Sequence, residues 1–101
     1  MRRLLLLAFP VLLATGCSKA KVDAAYMSEI KSAVTAICKC TTLPKDQQVD
    51  CMGRAGSPHP KKGPGGEPPG IYEEKLDDAS KSEIAAERAK WSSCESQIMQ
   101  N

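Results

Sequence analysis

The residues in this 101-residue chain with the most chemical potential are its five cysteines and its single histidine. Cys38, Cys40 and Cys51 lie close together in the sequence and Cys94 lies near its end. Three soft sulfur ligands with His59 are a donor set suited to Zn²⁺ or Cu⁺, so Cys38, Cys40, Cys51 and His59 form one metal-binding alternative. Against it, Cys38-Lys39-Cys40 is a C-x-C step, a weaker signal than a repeated C-x-x-C, and His59 sits between Pro58 and Pro60 in a stretch without large apolar residues. Redox catalysis of the thioredoxin kind expects C-x-x-C on a βαβ scaffold, and neither is visible. His59 has no patterned neighbours that would make it a catalytic base. The acidic groups Glu73-Glu74 and Asp77-Asp78 read as a solvated helix face. No paired-carboxylate, phosphate-loop or nucleophile motif stands out, so the chain reads as non-enzymatic, without cofactor.

The bland use of four cysteines in an exported chain is two disulfides. A Cys38–Cys40 bridge is disfavoured, because side chains so close together near a helix end diverge. Two pairings remain open: Cys38–Cys51 with Cys40–Cys94, or Cys40–Cys51 with Cys38–Cys94. In either, one bridge closes the turn at Pro44 and the other ties the last helix to the end of the first. The second bridge requires those helices to run parallel or to cross steeply, and parallel neighbours need a long return connection.

Export is itself read from the N-terminus. Arg2 and Arg3 precede the apolar run Leu4 to Ala14, which Pro10 interrupts. The run falls short of the about 20 apolar residues of a spanning helix and has the layout of a secretory signal. It ends Leu13-Ala14-Thr15-Gly16-Cys17, and in that respect resembles the signal peptide of a bacterial lipoprotein. One departure is that Ala14 stands where the family usually has Leu. The resemblance covers residues 1–18 and implies that residues 1–16 are removed, that Cys17 carries a diacylglyceryl group and often a further acyl chain, and that the protein sits in the cell envelope. Ser18, by the same resemblance, favours the outer membrane in a Gram-negative host. The implied partners are the membrane, through the lipid, and an envelope protein.

Arg2 and Arg3 account for the formal charge of +2, so the chain from Cys17 onward is neutral. It lacks the basic footprint of a nucleic-acid-binding protein. A domain this small buries little area and benefits from covalent staples.

The elements that must position these groups read as all-α: two long helices, one short helix and a long Gly/Pro-rich loop. Residues 17–22 are the lipidated Cys and a short tether, and 23–101 the helical domain. Over 23–40, Tyr26, Met27, Ile30, Ala33, Val34, Ile37 and Cys38 recur at three and four residues, with Asp23 as N-cap. Ser28, Lys31, Ser32, Thr35 and Lys39 take the opposite face. Pro44 opens a short helix carrying Val49 and Met52 on one side and ending at Gly53 or Gly56. Residues 53–70 are mostly Gly and Pro and predict a solvated, flexible loop. A second long helix is expected over 71–99, with Glu73 and Glu74 at its start and a stripe of Leu76, Ile84, Trp91, Cys94 and Ile98. Glu87 interrupts that stripe, and Ser80 with Glu83 has capping-box spacing that marks a possible restart. Tyr26, Met27 and Trp91 are expected as packing residues, or as a partner surface where the helices leave them uncovered.

Overall fold

The computed structural model describes residues 19–100. The stretch expected to be a signal peptide, and Cys17, expected to be lipidated, lie outside them. Four helices follow in order: α1 (Ala24–Cys40), α2 (Lys45–Ala55), α3 (Pro69–Glu74) and α4 (Asp78–Met99). Among the described residues there is no strand, only an isolated pairing of Ala20 with Leu76.

α1 forms where the apolar period predicts it. The Asp23 carboxylate accepts from the amides of Ala25 (3.0 Å) and Tyr26 (3.1 Å), satisfying two donors that the first turn leaves free. Its far end is closed by Thr41 and Thr42, whose hydroxyls donate to the carbonyls of Cys38 and Lys39, both at 2.7 Å. Pro44 then precedes α2. Gln48 is buried, and its amide donates to the carbonyls of Thr41 (3.2 Å) and Leu43 (2.9 Å). This satisfies backbone oxygens in the turn between α1 and α2. Val49, expected to face inward, is 58% exposed, because Gln48 takes the inner position; Met52 is partly buried as expected. Gly56, at φ 88°, ends α2 in a conformation that favours glycine.

The long helix expected over 71–99 is broken into two, as the capping-box spacing near Ser80 marks, but the break falls a few residues earlier. α3 starts at Pro69, inside the segment expected to be loop, and stops at Glu74. Glu73 and Glu74 therefore end a helix instead of opening one. The break is Lys75 to Asp77. Here Ala20 receives a hydrogen bond from Asp77 N (2.8 Å) and donates one to the carbonyl of Lys75 (3.2 Å), and Leu76 is fully buried. The N-cap of α4 is Asp77, whose carboxylate accepts from Ser80 N at 2.7 Å, so Ser80 lies in the first turn and not at the cap. Residues 20–22, expected as tether, are already part of the fold.

α1 and α4 run parallel. Val22 N donates to Ser80 Oγ (2.9 Å) near the start of both helices, and Cys38 is bonded to Cys94 near their ends. Two apolar clusters fill the space between. One joins Tyr26, Met27, Ile30, Leu76 and Ile84, with Val22 and Tyr72 against them. The other joins Ile37, Cys40 and Ile98, with Trp91, Met52 and the remaining three disulfide cysteines packed around it. The chain returns between the two ends through 56–68. This segment is less solvated than its composition predicts: Pro58, Pro60 and Gly63 are buried. Glu67 folds its tip, accepting from Gly65 N through its side chain and from Gly63 N through its carbonyl, both at 2.7 Å.

Candidate functional site

The disulfides are Cys38–Cys94 and Cys40–Cys51, with Cα atoms 5.2 Å and 5.6 Å apart. This is one of the two pairings the spacing leaves open, and it avoids Cys38–Cys40. Of the metal-binding alternative, Cys38, Cys40 and Cys51 are thus bonded to sulfur and offer no thiolate. His59 is exposed in the return segment, where its backbone amide donates to Ser57 Oγ at 3.2 Å.

Tyr26 and Met27 are 4% and 6% exposed, so they are core and not a partner surface. Trp91 is half-buried against the lower cluster, with its indole nitrogen enclosed. Of the candidate surface Tyr26, Met27 and Trp91, the first two are packing residues, the reading expected where the helices cover them, while Trp91, on α4, stays partly exposed.

Around Tyr26 stands a polar hub that the sequence does not announce. Arg88 grips Glu73 with two parallel hydrogen bonds, Nη1 to Oε1 at 2.6 Å and Nη2 to Oε2 at 2.7 Å, while its Nε donates to the carbonyl of Pro58 at 3.0 Å. The Tyr26 hydroxyl donates to Glu73 Oε2. Tyr72 sets its ring at a tilt of 56°, 4.6 Å from that of Tyr26, and its hydroxyl accepts from Asp23 N at 2.7 Å. The hydrogen bonds from Arg88, with that from Tyr26, hold the Glu73 carboxyl below its usual range despite burial. Burial, reinforced by the Glu73 carboxylate, pushes the Tyr26 phenol well above its own. The pair with Glu73 raises Arg88 further. Every group here is matched to another, so the hub acts as a clamp joining α1, α3, α4 and the return segment.

A second feature lies on the other side of α1. An open groove of about 930 Å³ runs along its outward face and the start of α4. Lys21, Lys31 and Lys39 line it against one carboxylate, Glu83, which pairs with Lys31 at 3.5 Å. Ser28, Ser32 and Thr35 add hydroxyls along it, but most of its lining is apolar, with Val22, Ala24 and Met27 contributing. The expected polar face of α1 is thus placed correctly. The contribution of Lys21 and Glu83 was not legible, because it depends on the parallel register. Glu83, read as a capping-box partner, serves as this ion-pair partner instead. Among the described residues, no helix is long and apolar enough to cross a membrane. No family model, curated protein or solved structure matches this chain.

Proposed function

We propose that this protein is a lipid-anchored component of the bacterial envelope, held through acylated Cys17, whose helical body is a non-enzymatic structural or binding module. In a Gram-negative host the reading extends to the outer membrane, and to an envelope protein as partner. The observation that carries it is the cysteine pairing: the two disulfides use Cys38, Cys40, Cys51 and Cys94 and leave Cys17, directly after the apolar run, outside them. Disulfides of this kind suit an oxidising compartment. Two or three acyl chains would hold the protein firmly, at about 0.8 kcal/mol per buried CH₂. The body begins at Ala20, so the lipid would hold it within about 10 Å of the membrane surface.

The test is intact mass of protein from the membrane fraction, alkylated before and after reduction. The expected result is acylation at Cys17 and four further thiols that react only after reduction. An unmodified Cys17 would overturn the anchor, and four thiols free before reduction would favour the metal or redox alternative.

A further inference from the structure

We infer that the lysine-lined groove of α1 is a docking face for an anionic phospholipid surface, so that the body lies along the membrane instead of standing on it. The inference rests on the anchor proposed above and adds an orientation to it.

Charge complementarity is the first argument. The chain from Cys17 onward has no formal net charge, yet the groove gathers three lysines and a single carboxylate already paired with one of them. A neutral body with a basic face is polarised, and phosphate headgroups are the abundant anions beside a lipid anchor. A smaller pocket beside α1 carries Asp23, Glu29 and Lys62 and has no such excess.

The second argument is where the chain outside the described residues ends. Cys17 is four positions from Lys21, which lines the groove at the start of α1. The anchor therefore brings this face to the membrane at one end. α1, with its 17 residues, is about 25 Å long. In the cell, salt screens charges beyond about 8 Å. An upright body would leave Lys39, at the far end, outside the surface field. Laying α1 along the bilayer places Lys21, Lys31 and Lys39 within it together.

Lys39 is thus the residue that decides the orientation. The mature lipidated protein would be placed in vesicles of phosphatidylcholine alone or mixed with phosphatidylglycerol, and its lysines labelled with a membrane-impermeant amine reagent and read by mass spectrometry. Labelling of Lys31 and Lys39 is expected to fall several-fold in the anionic vesicles and to recover in about 1 M salt, where screening shortens to about 3 Å. Lys62 is expected to label equally in both. Equal labelling of Lys39 in both vesicles would overturn the proposal. Protection of the same size in detergent micelles would also overturn it, pointing to a protein in the groove. Sedimentation with pure phosphatidylcholine vesicles reports acylation alone, so loss of the anchor and loss of the docking face give different results. A Lys31→Glu variant should still sediment with neutral vesicles while the anionic protection of Lys39 falls to the neutral-vesicle level.

Discussion

Replacing Glu73 with Gln leaves the guanidinium of Arg88 facing one carbonyl and a neutral amide, at a pair whose side chains are 20% and 23% exposed. Arg88→Ala strands the carboxylate instead. Each change should cost about 2 kcal/mol in urea unfolding, the range for leaving a largely enclosed polar group without its partner. The same pair sets an acid response. Glu73 is held below its ordinary range in the folded state, so its contribution is complete above about pH 4.3, the unfolded value for Glu, and drains away as pH falls towards the depressed one. Glu73→Gln should flatten that part of the stability profile. Tyr26 gives the opposite sign. Its phenol is raised, so its contribution is intact below about pH 10 and fades as the pH climbs further. Tyr26→Phe should remove that alkaline loss, at a cost of about 1 kcal/mol for the missing hydrogen bond near neutrality. None of this was readable from residue order. Glu73 and Arg88 are fifteen positions apart and meet only because the chain breaks at Lys75–Asp77.

A break near that point was marked by the Ser80–Glu83 spacing, but its position and the start of α3 at Pro69 were not. α1 was legible because a seven-residue apolar stripe, an aspartate cap and a terminating proline all agree. The second half of the chain offers a sparse stripe, and Leu76 belongs to it by spacing although it lies outside both helices. What fixes Leu76 is the long-range pairing with Ala20, which no local period encodes. The return segment was misjudged for a similar reason: Gly and Pro report a lack of core-forming side chains, but prolines can be buried by others, and Arg88 supplies a donor for the Pro58 carbonyl. The joint between α1 and α4 is Ser80, 3% exposed, accepting from Val22 N. Ser80→Ala should leave that amide unpaired, cost about 1–2 kcal/mol, and speed exchange of the Val22 amide by hydrogen exchange mass spectrometry. If the two helices ran antiparallel, this substitution would not touch Val22 at all.

At the scale of the molecule, the parallel register and the cysteine pairing support each other. The Cys38–Cys94 bridge spans a separation of 56 residues and Cys40–Cys51 one of 11. On loop-closure entropy, replacing the first pair by alanines should cost about 4 kcal/mol and the second about 3 kcal/mol. Calorimetry of the two double variants would show a clear order, with the long-loop variant melting lower. Reversal of that order would mean that Cys40, fully buried in the lower cluster, matters more as packing than as a cross-link. The long bridge also decides how the molecule would behave under load. Tension applied between the N-terminal end and the end of α4 enters through α1, crosses from Cys38 to Cys94 through two sulfur atoms, and leaves without passing through α2, the return segment or α3. Those parts would contribute no length to a stretched chain, although each backbone residue is capable of about 3.4 Å. A pulled molecule should therefore lengthen only by what lies before Cys38 and after Cys94.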